Sequence, residues 1–243
     1  MRALILGGTG EGRDVAAILH AAGWRVTSSL AGRVSNPKLP VGEIRIGGFG
    51  GPAGLTQWLL REGVEVIIDA THPFAERISA SAAEASRATG IPLIALHRPE
   101  WKQRPRDRWI PVPSMQEAAE KATRDYHHIF LTIGRQQLAP FAHDAHNLYV
   151  VRAVEHPQVT LPLRHRLILS RGPFTLESEK KLMIDNQIDC VVTKNSGGPL
   201  THAKLDAARD LGIDVIMVQR PQLPKVTHVA TSAAEVAEII DSL

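Results

Sequence analysis

A short β-branched run, a turn, then an Ala-rich amphipathic stretch recurs along this chain, and no other feature constrains the fold as much. Residues 3–6, 24–28, 43–46, 65–69 and 91–96 read as strands. Residues 13–22, 52–61 and 74–89 read as helices between them, stopped by Gly23, Gly63 and Gly90. Such alternation marks βαβ units, hence parallel sheets with helices on both faces. Residues 97–113 break the rhythm with four Pro, five Arg or Lys and two Trp, and read as a linker or a loop that packs over something. The rhythm then resumes. A helix over 114–124 opens with the capping box Ser114-x-x-Glu117. Strands follow at 128–132, 148–152, 166–169, 188–193 and 214–218, with helices at 136–143, 176–186 and 200–212.

The expected fold class is α/β: two Rossmann-like lobes with parallel sheets, residues 1–105 and 106–243, and a ligand site in the cleft between them. Residues 110–120 and 229–238 resemble each other, each a short edge strand followed by a Ser-capped helix with Glu three residues on. The final strand, residues 227–230, therefore has two destinations. It returns to the first lobe, as an exchange between lobes, or it completes its own.

Composition excludes several classes. Apolar residues make up 44% of the 243, yet no stretch approaches the roughly 20 apolar residues of a membrane span. The first apolar run, residues 3–6, is too short for a signal-peptide core, so a cytoplasmic location is expected. The single Cys190 lies in an apolar run and reads as a small buried hydrophobe. The net charge is +3, with Lys and Arg scattered and no basic tail, so neither nucleic acid nor membrane is an expected partner. No His, Cys, Asp and Glu set has metal-site spacing, and no Ser nucleophile elbow is present.

The chemistry sits at strand ends. Residues 4–13 give a strand, the turn Gly7-Gly8-Thr9-Gly10-Glu11-Gly12 and a helix start, which is the geometry of a pyrophosphate site. The spacing departs from Gly-x-Gly-x-x-Gly, because Arg13 stands where the third glycine would. NAD enzymes place an acid at the end of the second strand. Here that segment is Thr27-Ser28-Ser29-Leu30-Ala31-Gly32-Arg33, whose hydroxyls and Arg suit the 2′-phosphate of NADPH. Gly47 and Gly48 allow close backbone approach. Thr71 and His72 follow the fourth strand, where Thr71 can line a nicotinamide pocket and His72 is a candidate proton donor. In the second half Arg135, Arg171, Lys194 and Arg220 each follow a strand, with Lys204 in the next helix and Asn195 and Ser196 beside Lys194. Cations at four strand ends suit a ligand with several carboxylates or phosphates.

These motifs resemble the precorrin-6A and cobalt-precorrin-6A reductase family of cobalamin biosynthesis. The resemblance rests on residues 6–13, 69–75, 98–101, 131–135, 193–198, 203–209 and 218–221. It implies NADPH on the first lobe, held by Gly8, Thr9, Gly10, Gly12, Arg13, Ser28 and Arg33. It implies a polycarboxylate tetrapyrrole on the second, its carboxylates held by Arg135, Arg171, Lys194, Lys204 and Arg220. Hydride transfer to one double bond of the macrocycle and transient contact with neighbouring pathway enzymes follow from the same resemblance. Two other classes share the Gly-rich loop: a nucleotide-sugar transferase with two Rossmann-like lobes, and a non-catalytic nucleotide-sensing module. The cations of the second half speak against the second of these.

Overall fold

The computed structural model describes residues 1–32 and 38–243. The chain forms two compact units: Met1–Pro99 with Pro221–Leu243, and Glu100–Arg220. The break falls at Pro99 rather than residue 105 because the following residues belong to the second unit's core. Trp101 is 8% exposed within that core, and its backbone N–H donates to Asn195 Oδ1 at 2.9 Å.

The first unit begins with strand β1 (Arg2–Leu6), helix α1 (Gly10–Ala21), strands β2 (Arg25–Leu30) and β3 (Glu43–Ile46), and helix α2 (Gly51–Glu62). Strand β4 (Val66–Asp69), helix α3 (Glu76–Thr89) and strand β5 (Leu93–Leu96) follow. The second unit holds β6 (Trp109–Val112), α4 (Met115–Asp125), β7 (His128–Leu131), β8 (Leu148–Ala153) and β9 (His165–Leu169). It continues through α5 (Leu176–Asp185), β10 (Cys190–Lys194), α6 (Ala203–Leu211) and β11 (Asp214–Val218). The chain ends with β12 (His228–Ala230) and α7 (Ala233–Asp241).

Both sheets have six strands, and every pairing is parallel. The first runs β3-β2-β1-β4-β5-β12, the second β9-β8-β7-β10-β11-β6. Each is the doubly wound order 3-2-1-4-5-6. In each, the sixth place is taken by a strand from the other half of the sequence. β6 follows β5 in the chain but pairs with β11, while β12 follows β11 but pairs with β5. The last strand thus joins the first sheet, the exchange that sequence left open. The alike residues 110–120 and 229–238 are the two exchanged pieces. Each is capped by a Ser, Ser114 or Ser232, that accepts from the N–H of a Glu three residues on.

Two expected elements differ. Residues 136–143 form only a 3-10 turn, Ala139–Phe141, because Pro140 supplies no N–H to a longer helix. Residues 97–113 are not wholly irregular, since β6 lies within them. Pro111 sits in β6 without harm because β6 is an edge strand.

The first sheet is covered on both faces. Ile5, Val26, Ile68 and Ile94 pack with Val15, Leu19, Val236 and Ile240, from α1 and α7. Leu4, Leu6, Ile67 and Leu93 pack with Leu55, Leu59 and Ala82, from α2 and α3. In the second unit Phe130, Val150 and Val191 pack against Met183, Leu205 and Ala208, from α5 and α6. Cys190 is fully buried, and burial pushes its thiol pKa far up, as expected of a packing residue.

The exchange makes α7 part of the first unit's core. Val236→Ala removes two buried methyl groups and leaves a cavity, and should cost about 2 kcal/mol. In native-state hydrogen exchange that loss is expected in the amides of β1, β4 and β5, with those of β10 and β11 unchanged. Weakened protection in β10 and β11 instead would contradict the assignment of α7.

Candidate functional site

Ligands of open α/β sheets bind beyond the strand C-termini, where strand order reverses. In the first sheet that point lies between β1 and β4. The β1 loop is held by Gly7 N–H, which donates to Ser29 O at 2.9 Å, and turns at Gly8, whose φ of 118° favours glycine. Thr9 then caps α1. Its hydroxyl accepts from Gly12 N–H at 3.1 Å and donates to Ala70 O at 2.8 Å, so one side chain ties the β1 and β4 loops together. Gly12 supplies the close helix–strand approach usually left to the third glycine, for a Cβ there would stand 3.3 Å from Ala70 Cβ. Arg13 is thereby free to occupy the place of that glycine. It braces the loop from outside, donating from Nη1 to Thr9 O at 3.1 Å.

Glu11 lies in the first turn of α1 and receives Arg98 Nη1 at 3.0 and 3.1 Å. Burial alone would raise its pKa. Its own backbone N–H, the Arg98 guanidinium and the Thr9 hydroxyl outweigh burial and hold the carboxyl below its usual range. The Glu11 charge is therefore partly compensated where an anion would dock.

In the β4 loop, buried Asp69 accepts from Thr71 N–H at 3.1 Å and from Thr71 Oγ1 at 2.6 Å. His72 Nδ1 accepts from Phe74 N–H at 3.2 Å. That bond puts the neutral ring's proton on Nε2, and a fully protonated ring would lose it. Both side chains shape the loop, and His72 could act as an acid only by giving up this bond.

Two residues before the end of β2, Ser28 Oγ is buried with no hydrogen-bond partner among the described residues, an orphan that fits a ligand group near this edge. Gly47, with φ of 107°, donates its N–H to Leu30 O at 2.9 Å. Arg45 donates to the carbonyls of Gly47 and Gly48 at 2.6 and 2.7 Å and stacks 3.8 Å from the Phe49 ring centroid. The one sign of this clamp in the sequence is a cation two residues before the pair Gly47-Gly48. Arg33 lies outside the described residues.

In the second sheet the order reverses between β7 and β10. Because the sheet is parallel, Arg135, Arg171 and Arg220, past β7, β9 and β11, and Lys194, at the end of β10, fall along one edge. Arg135 pairs with Glu155 at 2.9 Å, and Arg171 is exposed. Lys194 closes β10, and burial draws its pKa down to about 8.

Three of the other residues, Arg220, Asn195 and Ser196, brace the edge. Arg220 Nε donates to Asn195 O at 2.7 Å and lies 3.8 Å from Glu100. Asn195, 4% exposed, holds Trp101 at both its N–H and its carbonyl. Ser196 Oγ donates to Lys194 O at 3.3 Å. Lys204 departs furthest from expectation. It is 3% exposed, donates to Thr201 O at 2.6 Å and sits 4.6 Å from the Trp101 ring centroid, so it packs the unit's interior and does not face the edge.

A buried pair went unread in the sequence. Arg152, from β8, meets Glu179, from α5, through two hydrogen bonds of 2.5 and 3.0 Å. The only signal is a charge inside the apolar strand Leu148–Ala153. Among the described residues no group of His, Cys, Asp and Glu could hold a metal ion, and no helix is long and apolar enough to cross a membrane.

Comparison with known proteins adds to this geometry. A family model described as precorrin-6x reductase CbiJ/CobK matches residues 2–243. The precorrin-6A reductase of Rhodococcus erythropolis is 49% identical over 234 residues, covering 96% of this chain and 94% of that protein. The cobalt-precorrin-6A reductase of Priestia megaterium is 32% identical, covering 94% of each. A solved structure described as CobK precorrin-6A reductase superposes with a TM-score of 0.92 at 39% identity, covering 100% of this chain and 96% of that one.

Lys204 gives the second unit a distinctive pH response. Burial first, then the nearby Arg152 charge, lowers its pKa to about 7, opposed by Glu179. An unfolded Lys titrates near 10.4. Between these values the unfolded state binds more protons, so this site makes stability rise with pH from about 7 to about 10. Lys204→Met should remove that rise in denaturant titrations at several pH values. An unchanged pH slope would contradict the buried, neutralised lysine.

Proposed function

The chain belongs to the precorrin-6x reductase CbiJ/CobK family, and from that membership we propose that it reduces metal-free precorrin-6A with NADPH as hydride donor. It is a reductase of cobalamin biosynthesis acting on a carbon–carbon double bond of a tetrapyrrole. The observation that carries the reading is the row of strand-end cations Arg135, Lys194 and Arg171 on the second sheet, which suits a substrate rich in carboxylates. Higher identity to the precorrin-6A reductase than to the cobalt-precorrin-6A reductase favours the metal-free macrocycle.

NADPH, when bound, supplies the hydride. The residues of the first unit fit it. Gly8, Thr9, Gly10 and Gly12 would hold the pyrophosphate at the start of α1, with Arg13 bracing the turn. Ser28, with its orphaned hydroxyl, Arg33, Gly47 and Gly48 would hold the adenosine end, where no acid stands to select NADH. Thr71 would lie beside the nicotinamide, its hydroxyl oriented by Asp69. His72 shapes that loop through Phe74, and as the proposed proton donor it would act by releasing that bond.

In the second unit Arg135, Arg171 and Lys194 would bind carboxylates, each charged hydrogen bond contributing roughly 1.5–3 kcal/mol. Asn195, Ser196 and Arg220 would keep that edge in shape, and Lys204 would pack the interior beneath Trp101. A cytoplasmic location accords with a pathway enzyme that meets its neighbours only transiently.

A spectral assay with metal-free and cobalt-bound precorrin-6A, each with NADPH and NADH, tests the reading. Turnover is expected with NADPH and the metal-free substrate at least about tenfold above any other pairing, equivalent to one charged contact. Arg33→Ala should erase the preference for NADPH over NADH. Equal rates with both nicotinamides in the wild type would overturn the 2′-phosphate assignment, and faster cobalt-substrate turnover would overturn the choice of macrocycle.

A further inference from the structure

Arg171 stands on a loop between β9 and α5, held at its start by Ala153, the neighbour of Arg152, and at its end by Arg152 and Glu179. At its start Ser170 N–H donates to Ala153 O at 3.0 Å, so the loop leaves the sheet beside Arg152. Near its end Phe174 lies against Arg152, with the guanidinium carbon 3.7 Å from the ring centroid and the Phe130 ring 4.9 Å away. Thr175 then caps α5, and its carbonyl accepts from Glu179 N–H at 3.1 Å. Glu179 is the same residue whose carboxylate takes both terminal nitrogens of Arg152. The loop has little slack between these anchors. A Cβ on Gly172 would stand 3.2 Å from Leu200 O and 3.3 Å from the Phe174 ring.

The pair itself is an expensive way to fill a core. Arg152 and Glu179 side chains are 6% and 2% exposed. A buried ion pair gains little or nothing over an apolar pair of the same volume, because desolvation offsets the attraction. A Leu–Met pair would satisfy packing, yet it would present no flat face to Phe174 and no two-point geometry to α5. The guanidinium is planar, stacks on aromatic faces and meets a carboxylate in a fixed fork. Those properties set direction.

We infer that the Arg152–Glu179 pair is a positioning device for substrate binding: stacked under Phe174, it holds the 170–174 loop so that Arg171 meets a carboxylate of the macrocycle. This rests on the proposed role of Arg171. Neither Arg152 nor Glu179 touches the substrate.

The test is a double-mutant cycle on the kinetics of the full chain, using Arg171→Ala, Phe174→Leu and their combination, with Arg152→Lys as a second way to loosen the stack. Phe174→Leu keeps an apolar side chain and removes only the flat face, so it does not leave a buried charge unpaired. Arg171→Ala is expected to raise KM for the tetrapyrrole about tenfold, the size of one charged contact. Phe174→Leu and Arg152→Lys should raise the same KM several-fold, with kcat and the KM for NADPH within about twofold of wild type. With Arg171 already Ala, Phe174→Leu should add less than about twofold, because there is no longer a cation to position. Equal effects of Phe174→Leu with and without Arg171, or a matching loss in kcat and cofactor binding, would overturn the positioning role while leaving Arg171 a binding residue. An unchanged KM in Arg171→Ala would overturn the binding role of Arg171 and the inference with it.

Discussion

The pairing of β12 with β5 is the interaction on which the first unit depends. Leu93 donates its N–H to Thr227 Oγ1, Thr227 donates its own to Leu93 O, and His97 donates to Ala230 O. Without that strand, β5 would be an open edge, with Ile94 and Leu96 uncovered and unpaired backbone facing outward. β12 also delivers α7, whose Val236 and Ile240 finish the layer begun by α1. The first unit is therefore made of two chain segments and the second of one. Completing the first sheet joins residues 134 apart, a non-local step that costs loop entropy before any contact repays it.

Wholly parallel sheets impose a second consequence. Every strand C-terminus lies on one edge, so the loops that can do chemistry are gathered there without further design. The two units use that edge differently. The first offers glycines, hydroxyls and a helix start; the second offers cations on a frame of buried hydrogen bonds. One strand order thus carries a glycine-rich turn in one unit and a row of cations in the other, by loop chemistry alone.

Much of this was legible. Strands such as Leu93–Leu96 and Cys190–Lys194 are continuous apolar runs because both their faces are covered, and such runs are hard to mistake when glycine stops separate them. The exchange was half legible, since residues 110–120 and 229–238 are alike. Two parallel sheets offer equivalent edges, however, and only tertiary packing chooses between them. At the site, position along the chain identified the strand-end cations, but it could not say which way each turns. Arg220 and Arg135 read the same in sequence, yet one braces the Asn195 backbone and the other pairs with Glu155. Lys204 reads as a cation near a loop, and the helix geometry of α6 buries it. Gly12 explains why Arg13 can replace a glycine, but only because Ala70 lies across from it.

The central claim is a division of labour: the nucleotide on the first unit, the tetrapyrrole on the second. Hydrogen exchange with each ligand alone tests it most directly. NADPH should slow exchange at residues 8–12 and 70–75 and leave residues 193–198 as they were. The tetrapyrrole should do the reverse. Protection of residues 193–198 by NADPH, with residues 8–12 unchanged, would contradict the account.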